Sequence, residues 1–183
     1  MMMNTNNILT APNPDPIPAA LRHLAFGGDN ERKAFFVARA RAHVEADSYT
    51  QGLGWDVDAG KGCAVGCTLH TYQHALYPST IGVPEQIAYL QDAIFEGLPK
   101  EEAVLFPAAF IEAIPVGADL SRVWWQCAER FLARAFVGVD ESTTSACKPA
   151  IDLVARAARG DIAPEAEWSE AAADAARAAA WTA

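Results

Sequence analysis

Two cysteines and two histidines crowd into the twelve positions from 63 to 74: Cys63, Cys67, His70 and His74, half of the chain's four cysteines and half of its four histidines. The pattern, C-x3-C-x2-H-x3-H, offers two thiolates and two imidazoles, the donor set that tetrahedral zinc accepts. The spacing departs from a standard finger, in which about a dozen residues separate the Cys pair from the His pair. On one continuous helix the four would form a single stripe with ends about 16 Å apart, too far for one ion. A shared site therefore needs a helix that begins near Cys67, with the glycine-rich turn folding Cys63 back, or fewer of the four ligands with help from elsewhere. His70 and His74 at i, i+4 would remain a bidentate pair. The best distant candidates are His43 and Asp47, also at i, i+4, with Glu45 on another face. The expected metal set is thus Cys63, Cys67, His70, His74, His43 and Asp47, and the expected cofactor is zinc. Against it stands plain packing: His43 paired with Asp47 on a solvated face, and cysteines filling a core as small apolar groups.

The same residues admit thiol chemistry. A cysteine behind a glycine turn, at a helix N-terminus and beside Lys61, has reason for a lowered pKa. His70, His74 or His43 would complete a Cys-His nucleophile with Cys63 or Cys67, and Asp47 would orient His43. A dithiol switch ranks lower, since the usual redox motif has two residues between its cysteines rather than three. Gly60-Lys61-Gly62 lacks the longer glycine-lysine pattern of a phosphate-binding loop.

The elements that must position these groups read as helices. The chain has 183 residues, of which 38 are alanine, so a strong helix former is over-represented. The expected fold is all-α: one compact domain of about seven helices with a Gly-rich loop presenting the Cys/His segment. Residues 1–17, with prolines at 12, 14, 16 and 18, read as a flexible leader outside the core. The helical domain spans 18–160 and an Ala-rich helix 161–183. Within the domain, a first amphipathic stretch runs from Ile17 to Phe26. A helix capped by Asp29 or Asn30 runs to about Asp47, and Gln51 to Gly66 is a loop, with room for a short hairpin. Pro84 opens a helix striped by Ile87, Leu90, Ile94 and Leu98. Asp119 caps another that places Cys127 in the core, and Pro149 and Gly160 bracket a third. Trp168 and Trp181 punctuate the alanine tail, which docks on the body or offers two aromatic anchors.

Charge narrows the partners. Fourteen basic against 23 acidic residues give a net charge of −9, which opposes phosphate-backbone binding, so no direct nucleic-acid partner is expected. The uncharged run 62–84 carries too many polar side chains for a membrane helix, and no basic leader precedes an apolar segment. A cytoplasmic location follows as the expectation, with free thiols rather than disulfides. Residues 84–119 carry a net −6 and residues 22–42 a net +3, an asymmetry that a solvated helix face or an acidic decoy surface would explain.

The run from His43 through Asp56, the segment from Gly60 through His70, His74, Gly82-Val83-Pro84, Leu90 with Asp92, Phe95 through Pro99 and Ile114 through Leu120 together resemble a family of uncharacterised phage and prophage proteins. The resemblance covers about residues 30–137. It implies a phage-derived context and assigns no catalytic residue. The function expected is a non-enzymatic phage accessory protein with a Cys/His metal site, its partner a host or phage protein. The alternatives are a cysteine-dependent enzyme using Cys63 or Cys67, and an acidic inhibitor of a host defence complex of the anti-CRISPR or anti-restriction type.

Overall fold

Helices dominate the computed structural model, which describes residues 8–181 and the side chains of 8–177. Among the described residues, nine α-helices run in order: α1 (Asn30–Glu45), α2 (Ala64–Leu69), α3 (Tyr77–Thr80), α4 (Glu85–Gly97), α5 (Lys100–Ala103), α6 (Phe106–Ala113), α7 (Val123–Ala135), α8 (Glu141–Ala158) and α9 (Glu165–Trp181). The fold is all-α apart from one antiparallel hairpin, β1 (Trp55–Asp56) with β2 (Lys61–Gly62), in which Trp55 pairs with Gly62 and Asp56 with Lys61. No helix among the described residues is long and apolar enough to cross a membrane.

The chain divides into two compact units, one through Leu120 and one from Ser121. This partition differs from the expected 18–160 domain with a separate tail. The alanine helix α9 belongs with α8 in the second unit, where Leu153, Ala163 and Ala171 form a small core flanked by Ala150 and Trp168, and Trp168 stacks on Trp125 at 5.2 Å. Methyl groups bury little area each, and α9 gains its burial along the length of α8. Cys127 is half-buried rather than in a core, because α7 buries no residue fully. Pro149 lies inside α8 instead of opening it. Asp140 caps the helix earlier, accepting from the Thr143 N–H at 2.9 Å, and the proline forfeits one intrahelical hydrogen bond. Trp181 lies outside the described side chains.

In the first unit, the expected leader is corrected from residue 8 onward. Ile8 and Ile17 are buried, and Arg39 of α1, itself fully buried, donates to the carbonyls of Ala11 and Pro12 and to Asn13 Oδ1. The prolines keep this segment extended, which leaves its carbonyls free to accept. The stretch from Ile17 to Phe26 forms two 3-10 turns, Ala19–Leu21 and Ala25–Gly28, instead of a helix. Asp29 caps α1 as expected, accepting from the Glu31 N–H at 2.8 Å.

The core of this unit includes Phe26, Phe36, Tyr77, Ile81, Phe95 and Ile111, and every residue of α2 is buried. A helix of six residues inside a core is set by its surroundings more than by propensity. The loop before β1 crosses it so closely that a Cβ at Gly66 would overlap the Gly54 carbonyl oxygen, and one at Gly62 would meet the same atom. The glycines of Gly62-Cys63-Ala64-Val65-Gly66 are therefore what allow the hairpin to lie on the helix.

Candidate functional site

α2 carries a polar group at each end, and the two ends differ. At the C-terminal end, His70 adopts the left-handed conformation (φ 56°) and stops the helix, its N–H bonded to the Gly66 carbonyl at 2.7 Å. That reversal means His70 and His74 never share a helix face, which corrects the expected bidentate pair. His70 instead meets His43 of α1, Nε2 to Nε2, at 3.1 Å. The Trp55 ring stacks on His70 with centroids 4.8 Å apart and planes within 7°. Burial, and then the Arg39 guanidinium nearby, push His43 down to about 4. The same two causes, with His43 itself third, push His70 down to about 3. Both rings are neutral at pH 7, so one N–H donates to the other's lone pair. A divalent ion placed between them would sit beside the Arg39 cation, which opposes it.

Cys67 is buried behind this pair, its thiol aimed at the carbonyls of Gly62 (3.4 Å) and Ser48 (3.8 Å). Burial, and the neighbouring Cys63, push the Cys67 thiol well up. Asp47 goes elsewhere. α1 ends at Glu45, Asp47 takes φ 49°, and its side chain lines a separate cleft rather than the face of His43.

At the N-terminal end, Cys63 caps α2, its Sγ accepting from the Gly66 N–H at 3.4 Å. The cap and the preceding turn were expected to lower the thiol pKa. Burial outweighs them, and with the adjacent Asp92 carboxylate it pushes Cys63 up to about 12. Asp92 projects from α4 and is the only buried carboxylate among the described residues. Its Oδ2 accepts from the Tyr72 hydroxyl at 3.1 Å and lies 3.3 Å from His74 Nε2. Its Oδ1 is buried with no hydrogen-bond partner. His74 lies between two tyrosines: Tyr89 stacks on it at 4.1 Å with planes within 9°, and Tyr72 meets it edge-on at 4.9 Å. Tyr72 and Tyr89 are 52% and 55% exposed, so they form the outer cover of an otherwise buried thiol, carboxylate and imidazole. Burial and the Asp92 charge raise the Tyr72 hydroxyl to about 12.

The six expected ligands therefore part company: His43 with His70, Cys67 against carbonyls, Cys63 and His74 around Asp92, and Asp47 apart. Among the described residues, no group of three or more His, Cys, Asp or Glu side chains is arranged to hold a metal ion. Asp92, Tyr72, Tyr89 and Trp55 were not expected as site residues. Asp92 had a signal, since it falls four residues after Ala88 and three before Phe95, on the buried stripe of α4 where a carboxylate is out of place. The aromatic cover had none, because only the hairpin and the reversal at His70 bring it over the site. Compared with protein-family models, with curated proteins and with solved structures, the chain matches none.

Proposed function

We propose that the chain is a cysteine-dependent enzyme of the hydrolytic or acyl-transfer class, working at Cys63, Asp92 and His74. The observation that carries this reading is the placement of Asp92, the one buried carboxylate among the described residues, with an unpartnered Oδ1, against a buried thiol and a buried imidazole. A carboxylate left in that state costs free energy, on the order of 1–3 kcal/mol for an unmet buried acceptor, unless the site uses it. A thiol held near 12 is protonated at neutral pH, so it needs a base at the moment of attack. Asp92 supplies one: the sulfur bonds to the acyl carbon while its proton passes to Oδ1. The leaving group departs with that proton. Water then cleaves the thioester, giving its proton to His74 on Nδ1, which has no protein partner, and the released sulfur recovers a proton from the imidazolium. Asp92 holds His74 through Nε2, and Tyr72 must swing aside to admit substrate.

The non-enzymatic accessory reading rests on the resemblance, and the acidic-inhibitor reading on net charge; the Asp92 cluster adds a side-chain arrangement to the enzymatic one. The test is acylation by p-nitrophenyl acetate at pH 7 followed by intact-mass and peptide analysis. Half-buried Cys127 and Cys147 serve as internal reference thiols. Cys63 should acylate at least about tenfold faster than either, and Asp92→Asn and His74→Ala should abolish that advantage while keeping native circular dichroism. Acylation of Cys63 no faster than of Cys127 overturns the proposal.

A further inference from the structure

The first unit holds seven lysines and arginines, and five of them are occupied. Arg22 donates to the Ile17 carbonyl, Arg32 to those of Thr80 and Asp15, and Lys33 to those of Glu112 and Ile114. Arg39 holds the Ala11–Asn13 segment, and Arg41 pairs with Glu112 at 2.6 Å. The two cations left without a partner among the described residues, Lys61 and Lys100, come from opposite sides of the unit's sequence and line the same cleft, of about 340 Å³. In a chain of net charge −9, two unpaired ammonium groups on one concave surface, with Asp47 the single carboxylate among its lining residues, are a specific arrangement rather than a solvated face.

The walls of this cleft are held in place. Thr50 donates its N–H to the Gly62 carbonyl at 2.8 Å, and Gln51 Nε2 reaches the carbonyls of Phe95 (2.7 Å) and Leu98 (2.9 Å), which ties the floor to β2 and to the end of α4. Lys61 stands on β2, Lys100 opens α5, and Asp47 also lines the cleft. Preformed walls lower the ordering cost of binding. The remote acids act through solvent and are screened beyond a Debye length of about 10 Å, whereas a ligand in the cleft meets the two ammonium groups directly.

We propose that this cleft binds a small molecule through an oxyanion, a carboxylate or a phosphate, received by Lys61 and Lys100, with Asp47 accepting from a donor group on the same ligand. Neither Cys63 nor His74 lines it, so the site stands or falls independently of the acyl-transfer reading.

The experiment is a titration of the full chain, followed by ¹H–¹⁵N spectra, with inorganic phosphate in one series and succinate in another. Saturable shifts confined to residues 47–51, 61–62 and 100–104, with an apparent Kd of about 10 mM or tighter, are expected for at least one of them. Phosphate alone saturating assigns a phosphate ligand, succinate alone a carboxylate, and both a site for either. The double variant Lys61→Ala/Lys100→Ala should weaken binding at least about tenfold with its spectrum otherwise native, while Lys148→Ala on α8 should leave it unchanged. Shifts scattered over the surface, no saturation, or equal binding by the double variant overturns the proposal.

Discussion

The two ends of α2 are built from the same kinds of residue and do opposite things with them. At the C-terminal end, two neutral imidazoles satisfy each other beside a buried guanidinium and beneath a stacked tryptophan. At the N-terminal end, an imidazole meets a carboxylate that keeps one oxygen unpartnered, next to a thiol and beneath tyrosines that are half in solvent. The first arrangement is closed, and a proton added to it has no anion to meet. The second keeps an unpartnered acceptor beneath a partly exposed cover, the arrangement on which the proposed proton transfer rests. The reversal at His70 therefore separates the two histidines that bracket Thr71, Tyr72 and Gln73, close as they are along the chain.

The largest effect expected destroys both ends together. Gly66→Ala forces a methyl group into the Gly54 carbonyl and should destabilise the first unit by at least about 4 kcal/mol, read as loss of the urea transition. Next comes pH, which separates the ends. His43 and His70 stay neutral in the fold down to about 4 and about 3, but take up protons near 6.5 when unfolded. Their contribution to stability is therefore complete above pH 6.5 and is lost as pH falls through 4 toward 3. The loss between pH 7 and 4 should be on the order of 2–4 kcal/mol, the share of partly exposed His70 being discounted for solvent. Urea midpoints that stay flat between pH 6.5 and 4.5 would show that the pair is not held neutral.

A smaller change sharpens the other end. Asp92→Asn removes a charge that raises the Cys63 thiol, so iodoacetamide at pH 9 should label Cys63 about tenfold faster than in the parent chain and Cys67 no faster. Acylation at pH 7 should slow in the same variant. Opposite movement of the two rates identifies Asp92 as both suppressor of the thiolate and acceptor of its proton; parallel movement leaves only electrostatics. Least of all, Tyr89→Ala should cost no more than about 1 kcal/mol and leave the His43–His70 pair unperturbed, which a comparison of imidazole resonances would check.

Much of this architecture was legible. Alanine content and the 3.6-residue stripes indicate the helical class, Asp29 or Asn30 marks the start of α1, and the glycines around Trp55 mark a loop with room for the hairpin that forms there. The Cys/His segment stands out in the sequence by composition, and His43 on α1 is a candidate to meet it, which it does through His70. What could not be read was direction. A left-handed residue at position 70 costs little local energy for histidine, yet it turns everything that follows toward α4. Asp47 was lost for a similar reason, since a helix two residues shorter removes it from His43's face. The sequence shows the local dipole and Lys61, which favour a lowered thiol pKa, but not the burial that raises both cysteines, because that depends on the whole core.

Arg39 has one further consequence. Its guanidinium lies over Phe35, meets no carboxylate among the described residues, and is held by oxygen atoms of residues 11, 12, 13 and 68. Residues 11–13 thus close over a buried cation that no carboxylate among the described residues meets. A shortened version beginning at Pro18 would carry that bare charge in an apolar setting, and aggregation during expression is its expected fate.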